Sequence, residues 1–187
     1  GPDTLVVFVS DHGELMGEKG LYGHPGKAGL PSQLLDIPFI FSGPGIRSGE
    51  VSAPVSLADL APTLTELCGL APQDSDGRSL VPALQGKALS SRPVYSHRGQ
   101  LKVLENDAWS VVDWPWKLYR KGTKVQLYNL EKDPGEATPV TNAQVSARLG
   151  KLLDEQMAGT VAPEVIQEKG DFDDETMKGL EALGYIE

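Results

Sequence analysis

The sequence predicts an α/β unit followed by a small antiparallel α+β unit, and two features lead to this prediction. The run Thr4–Val9 is almost entirely apolar and rich in β-branched residues, which is typical of a strand buried on both faces of a parallel or mixed sheet. From about residue 90 the chain changes to short strands in which polar and apolar residues alternate, as in antiparallel sheets with one wet face. We therefore predict one unit over 1–90 and a second over 91–187.

The first unit begins with this strand, which leads directly into polar residues that include Asp11 and His12. Ligand sites in open α/β sheets lie at the carboxyl ends of strands, so the position is typical of a functional site. The glycine-rich stretch 17–29 is too short and too charged for a collagen-like repeat, and we predict a structured loop. A second strand is predicted over Asp36–Phe41, and the turn residues 42–45 end it.

A helix is predicted to follow in the first unit. Ser56 and Asp59 have the spacing of a capping box at a helix start, and Gly69 ends the pattern. One face carries the apolar residues at helical spacing, namely Leu57, Leu60, Ala61, Leu64, Leu67 and Cys68. We therefore expect Cys68 to be a buried, unreactive thiol.

The second unit is predicted to be an antiparallel sheet followed by helices. The strands are predicted over Val94–Ser96, Ala108–Asp113, Trp116–Arg120 and Val125–Leu130. The alternation along the third strand places Lys117 on the wet face, and residues 121–124 join the last two strands as a hairpin. An amphipathic helix is predicted over Val145–Met157 and a final short helix from about Asp173 to Gly184.

Composition and charge exclude several classes of protein. The 187 residues include 17 basic and 26 acidic side chains, a net charge of −9, which disfavours a nucleic-acid binder because such proteins need a basic face. No apolar run approaches the roughly 18 residues of a membrane-spanning helix, so we expect no membrane span. A single cysteine excludes a disulfide framework and a multi-cysteine zinc site. Residues 151–187 alone carry a net charge of −7, which is most simply a solvated face.

Asp11 and His12 are the strongest candidates for chemistry. A carboxylate and an imidazole at a strand end can meet at one point if the chain turns there, and Gly13 permits such a turn. Carboxylate oxygens suit Ca²⁺, Mg²⁺ or Mn²⁺, and a neutral imidazole can join such a set. The simpler alternative is that Asp11 caps a turn and His12 lies on the surface. Two ligands do not make a metal site, so further ligands must come from elsewhere in the sequence.

The remaining candidates carry weaker signals. His24 and Lys27 lie in the glycine-rich loop, where an anion could approach the open backbone closely, although ordinary solvated loop residues would look the same. His97 is a weaker candidate, because no residue near it in the sequence completes a site. Glu14 and Glu18 could form a carboxylate pair or simply be exposed. No P-loop, nucleophile elbow or H-E-x-x-H helix occurs in the sequence.

Segments along the whole chain resemble the sulfatases and the related phosphonate monoester hydrolases of the alkaline phosphatase superfamily. The segment Val9–His24, with the sequence VSDHGELMGEKGLYGH, resembles their second active-site segment. Five further segments resemble family sequences in the same order, namely Asp36–Gly45, Val55–Leu64, Asp76–Leu84, Leu127–Glu136 and Leu180–Tyr185. The resemblance implies an alkaline-phosphatase-like mixed sheet, with 1–90 as the carboxyl-terminal part of the catalytic α/β domain and 91–187 as an antiparallel α+β subdomain.

The resemblance also implies roles for the candidate residues. Asp11 and His12 match the family's Asp and His or Asn, which bind a divalent cation, usually Ca²⁺. His24 stands at the position of a Lys or His that contacts the sulfate or phosphate oxygens, and Lys27 is the alternative for this role. A family histidine is commonly found where this chain has Lys19.

The nucleophile segment of the family has no counterpart in this sequence. Sulfatases use a formylglycine made from Cys or Ser in a C/S-x-P-S/A-R motif, which lies in their amino-terminal half together with other metal carboxylates. The residues around Cys68 lack this motif. The leading hypothesis is therefore the carboxyl-terminal portion of a sulfatase, with no catalytic residue of its own and an incomplete metal site. We expect such a chain to be inactive alone and to self-associate through an exposed sheet edge.

Two other functions stay open. The same segment serves hydrolases of phosphonate and phosphate esters, so the substrate of the complete enzyme would be a sulfate or a phosphate ester. For a sulfatase, the resemblance implies attack on sulfur by a hydrated formylglycine oxygen, while the metal and cationic side chains stabilise the charged oxygens. The alternative of a different class is a non-catalytic binding or structural domain. The upstream coding sequence would distinguish the three, because only the first requires the formylglycine motif.

Overall fold

A computed structural model of the chain describes residues 3–72, 74–99, 107–160 and 176–178. The predicted final helix, Asp173–Gly184, falls mostly outside the described residues, and the described residues 176–178 are helical. Most of the acidic stretch 151–187 also lies outside them. In the described part of the chain, no helix is long and apolar enough to cross a membrane.

The described residues form eight strands and four α-helices. The strands are β1 (Val6–Val9), β2 (Leu15–Met16), β3 (Tyr22–Gly23), β4 (Phe39–Ser42), β5 (Val94–Arg98), β6 (Ala108–Asp113), β7 (Trp116–Lys121) and β8 (Lys124–Asn129). The helices are α1 (Ser32–Leu35), α2 (Leu60–Leu67), α3 (Val81–Leu84) and α4 (Ala143–Gly159). Short 3₁₀ turns cover Glu18–Gly20, Gly26–Ala28 and Leu57–Asp59. Three antiparallel sheets result, namely β1–β4, β2–β3 and β5–β6–β7–β8.

The first strand is exposed on one face. β1 pairs antiparallel with β4, so that Phe8 lies opposite Ile40, and the side chains of successive residues point to opposite faces. Val6, Phe8 and Ile40 are 58%, 61% and 56% exposed, whereas the alternate residues of both strands are half-buried. The prediction that Thr4–Val9 is buried on both faces is therefore wrong for the described part of the chain. An apolar run shows that both faces can be buried, but it cannot show that a partner covers each of them.

The predicted capping box is present before α2. Ser56 Oγ accepts a hydrogen bond from the Ala58 N–H at 3.2 Å, and Asp59 Oδ2 accepts one from the Ser56 N–H at 3.0 Å. Asp59 is fully buried, and its Oδ1 also accepts from the Arg78 N–H at 2.8 Å and from the Arg92 guanidinium. The buried carboxylate thus caps the helix and also attaches it to the segment around Arg78 and Arg92.

The buried face of α2 differs from the predicted apolar stripe. Cys68 follows the last residue of the helix and is exposed, so the prediction of a buried thiol is wrong. The fully buried position is Thr63, whose hydroxyl donates to Asp59 O at 2.5 Å and accepts from the Leu80 N–H at 2.9 Å. The hydrophobic periodicity predicted the wrong buried face because the most buried residues at this helix, Asp59 and Thr63, are polar. Their hydrogen bonds offset the free-energy cost of burying them.

Strands β5–β8 form an antiparallel sheet, as predicted, and α4 covers it. The bounds of β6 match the prediction, and Lys121 pairs with Lys124 across the β7–β8 hairpin. Asn142 caps α4, since its side-chain oxygen accepts from the Val145 N–H at 3.1 Å. The helix packs on β6 and β7 over a core that consists of Trp109, Val111, Leu118, Leu127, Leu149 and Leu153.

Lys117 of β7 lies in the interior, and the prediction that it faces water is wrong. Its side chain is fully buried and its Nζ donates to Glu136 Oε1 at 2.6 Å and to Leu30 O at 2.7 Å. Glu136 Oε1 also accepts from the Ser32 N–H at 2.9 Å. Burial lowers the pKa of Lys117, and the neighbouring Glu136 carboxylate opposes this shift. The pair joins the antiparallel sheet to the segment that links the glycine-rich loop to α1.

We predict that Lys117→Met lowers the free energy of unfolding by about 3–5 kcal/mol, because Glu136 would remain buried without a counter-charge. The double variant Lys117→Met/Glu136→Leu should recover most of this loss, since it removes both charges. Urea denaturation followed by tryptophan fluorescence measures both effects.

The control for this prediction is Lys121→Met, which changes an exposed lysine at the end of the same strand. It should alter stability by no more than about 0.5 kcal/mol. A Lys117→Met variant as stable as this control would contradict the importance of the buried pair.

Candidate functional site

The two units enclose a cavity of about 700 Å³. The first unit contributes Asp11, His12 and His24 to its lining, and the second contributes the whole of β5, Val94–Arg98. Three of the four residues predicted to bind metal or substrate therefore line one cavity. This is the arrangement expected of a ligand site, which is typically concave and largely apolar with a few convergent polar groups.

The turn after β1 holds Asp11 and His12 in place through its own polar groups. Ser10 Oγ donates to His12 O at 2.7 Å, and Asp11 Oδ1 accepts from the His12 N–H at 3.0 Å. Hydrogen bonds from the backbone N–H groups of Asp11 itself and of His12 hold the pKa of the Asp11 carboxyl below its usual value. The carboxyl is therefore ionised near neutral pH, as a metal ligand must be.

Gly13 packs so closely against α1 that a larger residue could not replace it without a shift. Its N–H donates to Leu34 O at 2.9 Å, and a Cβ at this position would overlap the Gln33 carbonyl oxygen. The sequence pointed to backbone freedom as the reason for this glycine, whereas the structure shows a close approach between two backbone segments. The contact fixes the turn that carries Asp11 and His12 against the helix.

The β2–β3 ribbon brings Glu14 and His24 to the same place as His12. His24 Nδ1 lies 3.2 Å from Glu14 Oε1, and the rings of His12 and His24 are 4.5 Å apart between centroids. One ligand atom from each of the three side chains lies within 4.8 Å of the others. The spacing of Glu14 in the sequence pointed to Glu18 as its partner and not to His24. The pairing of Glu14 with His24 depends on a ribbon of two-residue strands, which is too short to show in the sequence pattern.

The donor atoms in this region are compatible with a divalent cation. Asp11 Oδ2 and His12 Nε2 are 3.9 Å apart, close to the roughly 3–4 Å between neighbouring ligand atoms around a cation bound at 2.3–2.6 Å. His12 Nδ1 is 2.7 Å from Gly13 O, which leaves Nε2 as the nitrogen that can bind a metal. Ca²⁺ takes about six to eight oxygen ligands, more than Asp11 and Glu14 supply.

Three other charged residues near the loop, Lys27, Glu18 and Asp36, are not part of the cluster of His12, Glu14 and His24. Lys27 is exposed and is not among the residues that line the cavity. Glu18 accepts from the Met16 N–H at 2.6 Å and caps the tip of the β2–β3 ribbon. Asp36 lines the cavity, and its partial desolvation raises the pKa of its carboxyl, a shift that the charge of Lys117 opposes.

The wall formed by β5 contributes polar groups that the sequence did not connect to the site. Arg98 Nη2 donates to His24 O at 2.6 Å, and His97 Nε2 lies 2.8 Å from Asp107 Oδ2. His97 also stacks on Trp109, with ring centroids 4.0 Å apart. These contacts could not be predicted from sequence spacing, because Arg98 and His24 are 74 residues apart and His97 meets Asp107 only across the β5–β6 pair.

Comparison with known proteins gives consistent results. Residues 1–70 match the family model described as Sulfatase. The chain is 32% identical over 140 residues to the choline-sulfatase of Rhizobium meliloti, a match that covers 73% of this chain and 27% of the relative. It superposes on a solved 2-O GAG sulfatase with a TM-score of 0.68 at 28% identity, covering 82% of this chain and 36% of the other. It also superposes on the phosphonate monoester hydrolase of Agrobacterium radiobacter with a TM-score of 0.66 at 27% identity, covering 84% and 35%.

These similarities place the chain in a fold class. It has the mixed α/β fold of the alkaline phosphatase type, as predicted. The chain belongs to the sulfatase family within that class. It spans 27% of the length of the choline-sulfatase that it matches. The segment with Asp11, His12 and His24 lies inside the matched residues 1–70.

Proposed function

We propose that this chain supplies the second active-site segment of a sulfate ester hydrolase, with Asp11 and His12 as metal ligands and His24 as the residue that binds the ester group. The observation that supports this most directly is the convergence of His12, Glu14 and His24 within 4.8 Å, next to Asp11. The match of residues 1–70 to the Sulfatase family supports it independently.

Each residue has a role that follows from its contacts. Asp11 and His12 present one oxygen and one nitrogen to a cation, for which Ca²⁺ is the first candidate and Mg²⁺ or Mn²⁺ the alternatives. A bound cation would stabilise the negative charge on the ester oxygens. The doubly protonated form of His24, with Nδ1 donating to Glu14, can also donate from Nε2 to an ester oxygen. Lys27, being exposed, is the second candidate for that contact.

Hydrolysis of a phosphonate or phosphate ester is the second candidate function. The likeness to the phosphonate monoester hydrolase of Agrobacterium radiobacter supports it, at nearly the same TM-score as the likeness to the 2-O GAG sulfatase. The two kinds of ester present similar tetrahedral groups of charged oxygens. A cation beside a donating imidazole would serve both substrates.

We predict that the purified chain binds 4-nitrophenyl sulfate weakly but does not hydrolyse it, because its sequence contains no formylglycine motif to supply the nucleophile. Release of nitrophenol measures turnover, and changes in the NMR signals of the three histidine rings measure binding. His24→Ala should weaken the binding.

Two outcomes would contradict this proposal. Turnover that disappears in Asp11→Ala would show that a complete active site is present in these residues. Binding that is unaffected by His24→Ala would favour the alternative of a binding domain of another class. Tighter binding of phenyl phosphonate than of the sulfate would favour the second candidate function.

We predict that the metal site is weak in the isolated chain. Sub-millimolar Ca²⁺ should not raise the melting temperature, because the ligands are too few, whereas millimolar Mn²⁺ should broaden the NMR signals of His12 before those of His97. Asp11→Ala should remove the preferential broadening, and Glu18→Gln is the control that should leave it unchanged. A rise in melting temperature at micromolar Ca²⁺ would contradict the prediction of an incomplete site.

We propose that the isolated chain self-associates through the exposed face of β1 and β4, a surface that includes Val6, Phe8 and Ile40. The double variant Phe8→Lys/Ile40→Glu places opposite charges on a directly opposed pair. We predict that light scattering will show concentration-dependent association of the wild-type chain and a monomer for this variant.

Met16→Lys/Tyr22→Glu is the matched control, because these residues are also directly opposed and are 78% and 76% exposed. This control should associate as the wild type does. A wild-type chain that stays monomeric at high micromolar concentration would contradict the proposal and would favour a self-sufficient domain.

A further inference from the structure

His97 and Asp107 form a pair in the wall of the cavity that has no role in the proposed function so far. His97 Nε2 lies 2.8 Å from Asp107 Oδ2, and the side chains are 28% and 6% exposed. His97 lines the cavity, whereas Asp107 lies behind it in the buried part of the wall. A carboxylate behind an imidazole in this way fixes the orientation of the ring and the nitrogen that carries the proton.

Two further contacts hold the pair in position. The ring of His97 stacks on Trp109, with centroids 4.0 Å apart and planes inclined by 26°, and Trp109 is itself buried. Gly99 is required for the approach of Asp107, because a Cβ there would overlap the carboxylate. The imidazole is thus held from one side by a charge and from one face by a ring. Such a side chain can make a hydrogen bond to a ligand without losing much conformational entropy.

The contact with Asp107 determines what His97 can bind. Because the carboxylate can only accept, Nε2 carries the proton and donates to it. In the singly protonated form of the ring Nδ1 is then an acceptor, and among the described residues no hydrogen bond involves this atom. The negative charge of Asp107 also disfavours an anion at this point. The site therefore suits a hydrogen-bond donor, such as a hydroxyl or ammonium group.

The position of His97 relative to His24 follows from the neighbouring residue. Arg98 Nη2 donates to His24 O at 2.6 Å, so the end of β5 is attached to the loop that carries His24. Both histidines line the same cavity. A ligand whose charged group is bound at His24 therefore extends along the cavity whose β5 wall contains His97.

We propose that His97 is a specificity-determining residue whose Nδ1 accepts a hydrogen bond from a donor group in the alcohol part of the ester, and that Asp107 is its positioning residue. This inference rests on the proposed function, because it assumes that His24 binds the charged group of the ester. The chain should therefore bind an ester more tightly when the alcohol part of the ester carries a hydrogen-bond donor, although that donor takes no part in hydrolysis.

The test compares two sulfate esters with the full chain. Glucose 6-sulfate carries several hydroxyl groups, and cyclohexylmethyl sulfate has a similar ring without them. Dissociation constants are measured by NMR titration on wild type, His97→Phe, Lys121→Met and His24→Ala. His97→Phe keeps a ring on Trp109 but removes both nitrogens, and Lys121→Met is a control on the same sheet that is not among the residues lining the cavity.

We expect the wild type to bind glucose 6-sulfate about 3- to 10-fold more tightly than cyclohexylmethyl sulfate, the usual effect of one hydrogen bond. His97→Phe should remove this preference without weakening the binding of cyclohexylmethyl sulfate, and Lys121→Met should preserve it. Nitrogen-15 shifts of the wild-type rings should show His97 protonated at Nε2, and glucose 6-sulfate should shift the Nδ1 signal. In Asp107→Asn, a smaller fraction of the His97 rings should carry the proton on Nε2.

The outcomes separate this inference from the proposed function. If both esters bind equally and His24→Ala weakens both, the inference about His97 is overturned and the proposed function stands. If His24→Ala has no effect while His97→Phe removes the preference, His97 is a donor-binding residue and the proposed role of His24 is wrong. Failure of the wild type to bind either ester overturns both. The nitrogen-15 measurement on the wild type decides the role of Nδ1 even if His97→Phe does not fold.

Discussion

The buried ion pair between Lys117 and Glu136 is the interaction on which the arrangement of the cavity depends. Removing two charges from water costs several kcal/mol per ion, and such a cost is recovered only when the remaining hydrogen-bonding groups are also satisfied. Lys117 meets this condition by donating to Leu30 O as well as to Glu136, which accepts in turn from the Ser32 N–H. Two of these bonds, Lys117 Nζ to Leu30 O and the Ser32 N–H to Glu136 Oε1, join the antiparallel sheet and the loop after it to the residues at the start of α1. The pair is therefore stable only when the two units occupy this relative position.

The glycine-rich loop is held by the antiparallel sheet at three points. Arg98 of β5 donates to His24 O, Tyr119 of β7 packs against Gly29, and Lys117 of β7 donates to Leu30 O. Gly29 has a φ of +72°, and a Cβ there would lie 2.7 Å from the Tyr119 hydroxyl, so both its conformation and its surroundings require glycine. The loop that carries His24 has only the short β2–β3 ribbon and two 3₁₀ turns as regular structure. The position of this residue therefore depends on the second unit as well as on its contacts with Glu14 and His12.

The sequence predicted the features that depend on local spacing. The capping box at Ser56 and the bounds of Ala108–Asp113 are confirmed, because capping and strand alternation involve residues close together in the chain. Lys117 was assigned to the wrong face, since alternation predicts only which side chains share a face and cannot reveal a carboxylate from a distant loop. His97 appeared to lack a partner for a similar reason, because Asp107 reaches it only through the pairing of β5 with β6. The metal and substrate roles of Asp11, His12 and His24 were suggested by family resemblance, and all three residues line one cavity.

His24 and His97 both line the cavity, and the carboxylates paired with them differ in a way that suits the two histidines to different roles. Glu14, the partner of His24, is 43% exposed at its side chain, whereas Asp107, the partner of His97, is 6% exposed. Water screens the first interaction strongly and the second much less, and the first distance is also longer, 3.2 Å against 2.8 Å. The contact with Glu14 therefore restrains His24 weakly, while His97 loses a strong interaction if it turns away from Asp107. One histidine is suited to contact a charged group that enters and leaves, and the other to recognise the uncharged part of the same ligand from a fixed position.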